Sequence, residues 1–251
     1  MLRRTRIRLA GVLCLALSAL ALPAPPAYAA PPDLASYVNP FVGTQDGGAD
    51  FGHGGGAGMD FPGAVVPFGM MQWSPDIVRI SGGGYKYEDD RLRGFSMTHI
   101  SGPGCTGAQD FPVIPFSGPI KNSPATHGSD YVQTFQHANE QASPGSYAMT
   151  TDTGIRTELT ATQRAGVARF TFPADKVGTL LLNVTGSING VDDAEATIKG
   201  NTVSGWAKTG GFCNADTRSG RRASTRSRPP RTGHGRSASA RSRSGAARPT
   251  R

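Results

Sequence analysis

Short apolar and β-branched segments recur between residues 131 and 208. Gly, Pro, Asp or Asn separate them roughly every 8–12 residues, which is the spacing of strands in an antiparallel sandwich or barrel. No stretch keeps an apolar period of about 3.6 residues, so we expect few helices. The segments are "YVQTFQH", "GSYAMTT", "IRTELTAT", "VARFTF", "TLLLNVTG", "ATIKG" and "TVSGWAK".

Two of these segments predict how their strands are buried. In "VARFTF", the side chains of Ala168, Phe170 and Phe172 share one face, because side chains alternate along a strand. That pattern indicates one packed face and one wetter face. "TLLLNV" is apolar almost throughout and predicts a strand that is buried on both faces.

Residues 37–118 are richer in glycine, proline and aromatic residues and contain few clear strand patterns. Disordered segments contain few aromatic residues, so we predict ordered loops that lie over a sheet. Roughly 180 residues are enough for one large sandwich. The predicted fold class is mainly β: a large antiparallel β-sandwich with long glycine- and aromatic-rich loops.

The positive charge of the chain is concentrated at its two ends. The formal net charge is +8, yet residues 1–29 contain four Arg and no acidic residue, and residues 214–251 contain eleven Arg and one Asp. Residues 30–213 therefore hold 11 of the 26 basic and 17 of the 18 acidic residues. Because the folded part is acidic, we expect no nucleic-acid partner for it.

The first 29 residues have the three parts of a secretory signal peptide. The basic start "MLRRTRIR" precedes the apolar run "LAGVLCLALSALAL" and the cleavage signal "AYA" at 27–29. The apolar run is shorter than the ~20 residues of a membrane-spanning helix. We predict cleavage after Ala29, a secreted protein, and no membrane contact after cleavage.

Residues 214–251 contain alanine as their only apolar residue type. Such a segment cannot bury enough apolar surface to offset its chain entropy, so we predict a disordered basic tail. Two origins are open: an Arg/Ser tail that binds polyanions through phosphate contacts, or out-of-frame translation of a GC-rich gene. The second is favoured, because a secreted protein has little use for a nucleic-acid tail.

Signal cleavage leaves two cysteines, Cys105 and Cys213. An oxidising compartment permits a disulfide between them. Two cysteines do not amount to a disulfide framework, so two free thiols are the default expectation and a bridge remains open.

Aromatic and acidic residues within 37–118 give candidate binding positions. Trp73, Tyr85 and Tyr87 form either a stacking platform for sugar rings or ordinary core. Asp76 and Asp110 can accept hydrogen bonds from hydroxyl groups, although Asp at the start of a turn more often bonds its own backbone.

The sequence gives little support for two other kinds of site, a serine-hydrolase site and a calcium-binding loop. His99 has serines nearby, but the chain lacks the G-x-S-x-G turn of a serine hydrolase. The polar segment 46–60 lacks the ligand spacing of an EF-hand calcium loop, so we interpret it as a polar loop.

Several longer motifs in 37–118 occur in a recognisable order. They resemble the N-terminal part of the secreted α-mannosidases of glycoside hydrolase family 92, and the resemblance continues less sharply to about Cys213. The motifs are "VNPFVGT", "FPGAVVPFGMMQWSPD", "GGGYKYEDDRLRGFSMTHISGPGC" and "QDFPVIPFSG".

The resemblance implies that residues 30–213 are the N-terminal β-sandwich of a two-part enzyme. Such an enzyme would be an exo-acting, inverting glycoside hydrolase that cleaves α-mannosides, including α-1,2-linked ones. The catalytic carboxylates and most ligands of its Ca²⁺ would belong to an (α/α)6 barrel that this chain lacks. No metal, no catalytic residue and no activity are therefore expected of the chain alone. Its expected partners are α-mannoside glycans and the missing barrel. By position in the motifs, Trp73, His99 and Asp110 are the side chains expected nearest the sugar or the barrel.

Two other functions remain open from the sequence. One is a free-standing, secreted carbohydrate-binding module. The other is a polyanion-binding protein that uses the basic tail.

Overall fold

The structure, a computed structural model, describes residues 32–47, 58–79, 82–211, 213, 219–228 and 237–246, the last two ranges by their backbone alone. The chain divides into a unit of residues 1–34 and a unit of residues 35–251. The signal peptide predicted for 1–29 lies outside the described residues.

The described residues form thirteen strands and two short 3-10 helices. The helices are Leu34–Tyr37 and Gly128–Tyr131. The first nine strands are β1 (Ala64–Val65), β2 (Gln72–Ile77), β3 (Arg91–Ser96), β4 (Val113–Ser117), β5 (Gln133–Ser143), β6 (Ser146–Thr151), β7 (Arg156–Ala161), β8 (Ala165–Thr171) and β9 (Gly178–Leu182). The others are β10 (Val191–Lys199), β11 (Thr202–Thr209), β12 (Ser219–Arg228) and β13 (Ser237–Ala246).

All pairings between these strands are antiparallel. The strands hydrogen-bond in the order β1-β2-β3-β5-β6-β7-β8-β13-β12-β11-β10, and β4 branches off to pair with β3 and β9. Each of the seven segments between residues 131 and 208 contains a strand or overlaps one. The prediction of a mainly β, antiparallel fold with few helices is confirmed.

The core forms where β1–β3 pack over β6–β8. The rings of Phe95 on β3 and Phe170 on β8 lie 6.5 Å apart, and the ring of Trp73 on β2 lies directly above Gly166. Ala168 and Phe170 are fully buried, whereas their neighbours Val167 and Arg169 are exposed. The predicted alternation in this segment is therefore confirmed.

The prediction for "TLLLNV" is wrong. Among the described strands, its strand β9 pairs only with β4, and its leucines are half-buried rather than buried on both faces. In this segment, a continuous apolar sequence therefore does not indicate a strand in the middle of the sheet that is buried on both faces.

The prediction of disorder is wrong for two segments of the tail. β12 pairs with β11, β13 pairs with β8, and the two pair with each other. Without these two strands, the edge of β8 opposite β7 and the edge of β11 opposite β10 would lack a strand partner. Any non-proline residue can supply the backbone hydrogen bonds there. The composition of the tail indicates how much apolar surface it can bury, but it does not indicate whether its backbone pairs with other strands.

Cys105 and Cys213 form a disulfide, with Cα atoms 5.3 Å apart and 108 positions between them in sequence. The default expectation of free thiols was therefore wrong. The bridge joins the loop that follows β3 to the segment that follows β11. Two residues this far apart in sequence are brought together by the sheet, which the count of cysteines does not reveal.

Candidate functional site

Trp73 is part of the core. Its side chain is 0% exposed, and its Nε1–H donates a hydrogen bond of 3.0 Å to the carbonyl oxygen of Phe95. Of the two readings of this aromatic residue, the structure shows ordinary core and no exposed stacking face. Tyr85 is likewise fully buried, whereas Tyr87 is half-buried.

His99 is buried in a polar cluster below the surface. Its Nδ1 donates to the carbonyl oxygen of Gln72 at 2.8 Å, and its Nε2 lies 3.2 Å from Asp76 Oδ1. The other oxygen of Asp76 accepts hydrogen bonds from the backbone N–H and the hydroxyl of Ser96. Because the carboxylate lies between the serine and the imidazole, the histidine does not face the serine as a general base would.

Asp110 is buried beside this cluster. Its backbone N–H donates to Thr98 Oγ1 at 3.0 Å, and the Thr98 hydroxyl donates back to Asp110 Oδ2 at 2.7 Å. Thr98 directly precedes His99, and Gln72 directly precedes Trp73. The structure therefore brings all three residues predicted for the site into one region, but as buried supporting positions.

A polar pocket of about 230 Å³ lies next to this region, and we call it the Arg93 pocket. The guanidinium of Arg93 donates to the carbonyl oxygen of Ile77 at 2.7 Å and to Gln109 Oε1 at 3.0 Å. Carboxylate, amide and hydroxyl groups share its lining, which suits a small polar ligand or ordered water. Among the lining residues are Asp76, Arg93, Ser96, Gln109, Asn183 and Ser187.

A second cavity of about 360 Å³ lies beside the start of β5, and we call it the His137 pocket. The imidazole of His137 stacks on the ring of Tyr87, with centroids 4.0 Å apart and planes 13° apart. Phe41 meets Tyr87 edge-on at 6.3 Å. The pocket is lined by Asn39, Phe41, Thr44, Gln45, Tyr87 and His137.

A buried carboxylate holds the wall of the His137 pocket. Glu140 Oε2 accepts hydrogen bonds from His137 Nδ1 at 2.6 Å and from the Tyr85 hydroxyl at 2.8 Å, and Oε1 accepts one from the Tyr147 hydroxyl. Burial first, and then the charge of Glu140, raise the pKa of Tyr85 and the pKa of Tyr147. Both phenols therefore stay protonated and keep donating to the carboxylate.

Sequence reasoning missed His137 and Glu140. Residues three apart on a regular strand point to opposite faces. The pairing of β5 with β6 shifts register between Phe135 and Glu140, and this irregularity lets both side chains reach the same site. No local sequence signal marks the shift, since the segment contains neither glycine nor proline.

The two tyrosines predict how stability changes at high pH. Their pKa values are raised on folding, so their contribution is complete below the ordinary tyrosine value of 10.0 and is lost as pH rises above it. Each tyrosine should remove roughly 1.4 kcal/mol of unfolding free energy per pH unit above that value. Urea unfolding at pH 8 and at pH 11 measures this.

The double variant Tyr85→Phe/Tyr147→Phe is the matched comparison for the pH prediction. It should be less stable than the parent at pH 8, because each lost hydrogen bond to a charged group costs about 1.5–3 kcal/mol. Its further loss between pH 8 and pH 11 should be clearly smaller. An equal loss in parent and variant would show that other groups govern alkaline unfolding.

Described residues of the loop 46–60 agree with a polar loop. Asp46 accepts hydrogen bonds from Lys86 and from Arg79, the second at 3.0 Å. Asp50 and His53 lie outside the described residues. Within the part of the chain that the structure describes, no group of three or more His, Cys, Asp or Glu could hold a metal ion. The Ca²⁺ expected of the family stays a prediction about residues beyond these.

Within the same part of the chain, no helix has the length and apolar character needed to cross a membrane.

Three comparisons with known proteins agree with one another. The model of the glycosyl hydrolase family 92 N-terminal domain matches residues 37–235. A protein of Arthroderma benhamiae, named as an uncharacterized secreted glycosidase, is 30% identical over 145 residues, which are 56% of this chain and 18% of that protein.

Solved structures with the same fold include two enzymes of Bacteroides thetaiotaomicron. The family GH92 α-mannosidase BT3965 superposes with a TM-score of 0.69 at 25% identity, covering 87% of this chain and 34% of that enzyme. The inverting mannosidase BT2199 gives 0.67 at 23% identity, covering 84% and 31%. The chain thus spans about a third of these enzymes. By its match over residues 37–235, the chain belongs to glycosyl hydrolase family 92, as its N-terminal domain.

Proposed function

We propose that this chain is the N-terminal, carbohydrate-contacting domain of a secreted, exo-acting α-1,2-mannosidase-like glycoside hydrolase. The observation that carries the proposal is the coverage: the fold of an α-mannosidase is matched over 87% of the chain but over only 34% of that enzyme. The catalytic carboxylates and the Ca²⁺ ligands would then come from the other two-thirds, an (α/α)6 barrel that acts with inversion. Secretion is supported by the relative named as a secreted glycosidase.

An exposed apolar turn supports the idea that the sandwich packs against such a second domain. Phe68 is 100% exposed and sits at a positive φ of 57°, a backbone conformation that is unfavourable for an aromatic residue. Met70, two positions on, is also exposed. Large apolar side chains presented together on a turn mark contact surfaces, so we assign this turn to the interface with the barrel.

The proposal also explains why the three residues expected at the site are buried. Trp73, His99 and Asp110 fix the backbone around β2 and β3, from which loops emerge. A rigid base beneath loops that touch a substrate is what a binding surface requires. On this account the three residues predicted for the site are positioning residues, and none of them contacts the sugar.

A chimaera of BT3965 tests the proposal. Residues 37–235 of this chain replace the matching third of that enzyme, and mannose release from α-1,2-mannobiose is measured with Ca²⁺ present. We expect the chimaera to release mannose, and we expect neither this chain alone nor BT3965 without its N-terminal third to do so. A chimaera that folds, as judged by its melting curve, and yet is as inactive as the deletion variant would contradict the proposal.

A second candidate function, a free-standing carbohydrate-binding module, is favoured by one observation. The His137 pocket brings together aromatic rings and a histidine that Glu140 holds in place. The two candidates differ in the chimaera experiment, because a free-standing module would not support catalysis by the rest of BT3965.

A further inference from the structure

We propose that the His137 pocket is a binding site for one pyranose sugar ring, which packs against Tyr87 and Phe41 and forms a hydrogen bond between one of its hydroxyl groups and His137 Nε2. The proposal goes beyond the function proposed above, because it assigns a ligand to one specific pocket. Most of its residues lie outside the cluster around Asp76 and His99. Its chemistry follows from four features of the pocket.

The first feature is the fixed orientation of His137. Its Nδ1–H donates to Glu140 Oε2 at 2.6 Å, and its ring is held between the face of Tyr87 and the edge of Phe135, 5.4 Å away. With Nδ1 engaged by the carboxylate, Nε2 is the ring nitrogen that remains for a hydrogen bond to a ligand. The side chain is 26% exposed where it lines the cavity, so Nε2 is the nitrogen that can receive a hydroxyl group of a ligand.

The second feature is the buried support for that orientation. Glu140 has a side chain that is 1% exposed, and it receives hydrogen bonds from two tyrosines as well as from His137. A carboxylate that holds the far nitrogen of a histidine fixes its tautomer and its ring plane. A solvated surface histidine does not require a buried carboxylate with three hydrogen-bond donors, so this arrangement indicates that the orientation of His137 is important.

The third feature is the aromatic wall. The rings of Tyr87 and Phe41 are both half-buried and border the cavity edge to face. Aromatic faces pack well against the C–H face of a sugar ring while leaving its hydroxyls free. The exposed amides of Asn39 and Gln45 stand at the same opening and can bond those hydroxyls.

The fourth feature is the charge and size of the pocket. Neither Lys nor Arg lines it, and the carboxylate behind His137 would repel an anion. A single histidine does not make a metal site. The volume of about 360 Å³ falls at the small end of the range of ligand pockets, roughly 300–1,000 Å³. A neutral ring rich in hydroxyl groups fits these limits better than an ion does.

Titration of the full chain with methyl α-mannopyranoside and methyl α-glucopyranoside tests the proposal. Saturation-transfer difference NMR and calorimetry should show one weak site, with a dissociation constant in the millimolar range. Gln45→Ala should weaken binding measurably without affecting folding, since Gln45 is exposed. Tyr87→Ala and His137→Gln should each weaken binding about tenfold or more, because each removes one principal contact.

Matched controls separate the pocket from the rest of the surface. His127→Gln removes an exposed histidine elsewhere, and Phe68→Ala removes an exposed aromatic ring elsewhere; neither should change the dissociation constant. The melting temperature of each variant reports whether it is folded. Absence of binding at 50 mM sugar, or binding that the Gln45 and His137 variants leave unchanged, would overturn the proposal.

The outcome is independent of the chimaera experiment. The pocket can fail to bind sugar while the domain still supports mannose release in the chimaera, and then the proposed function stands without this site. Conversely, sugar binding by the chain with an inactive chimaera would favour the free-standing module.

Discussion

Replacing both Cys105 and Cys213 by serine is expected to lower the unfolding free energy by about 4–5 kcal/mol. The bridge closes a loop of 108 positions, and a cross-link over a loop of that length removes much of the entropy of the unfolded chain. An ordinary domain has a total stability of about 5–15 kcal/mol, so the loss would amount to roughly a third of that stability or more. Urea unfolding of the double variant measures the effect.

Reduction provides the control for the disulfide prediction. A reducing agent should lower the urea midpoint of the parent and leave the midpoint of the double variant unchanged. The reduced parent and the variant should then unfold at nearly the same urea concentration. A variant within about 1 kcal/mol of the oxidised parent would mean that the bridge carries little of the stability.

Trp73→Ala is expected to destabilise the chain by about 3–5 kcal/mol. The ring is fully buried over Gly166, so its removal leaves a large cavity that neighbouring side chains cannot fill. The carbonyl of Phe95 also loses the hydrogen bond from the indole. Urea unfolding measures the change, and sugar binding by the folded fraction should be unaffected.

Phe68→Ala is the matched comparison for Trp73, because it removes an aromatic ring that is 100% exposed. It should change stability by no more than about 0.5 kcal/mol. If Trp73→Ala had parental stability but lost sugar binding, the stacking platform would be correct and the core assignment wrong.

The sequence predicted the second half of the fold better than the first. β5 to β8 follow short alternating segments between turn residues, and alternation is a local signal. β2 and β4 each contain a proline and are buried over most of their length, so neither a period of two nor strand propensity marks them. Their positions follow from pairing with distant strands, which a local pattern does not record.

The sequence motifs gave positions for a candidate site but did not predict the surroundings of each side chain. The motif resemblance pointed to Trp73, His99 and Asp110, and the structure shows all three as buried residues in one region. The half-buried polar and aromatic side chains that line the two pockets include Arg93, Tyr87 and His137, whose partners come from segments far apart in sequence. The orientation of His137 depends on an irregular pairing in β5, and no composition rule anticipates that.

We propose that this chain provides one domain of a mannosidase and not its catalytic machinery. The most direct test is mannose release from α-1,2-mannobiose by the purified chain with Ca²⁺ present, measured beside the chimaera with BT3965. The account predicts release by the chimaera and none by the chain above a buffer control. Turnover by the chain alone would contradict it, because the catalytic groups would then have to lie within these 251 residues.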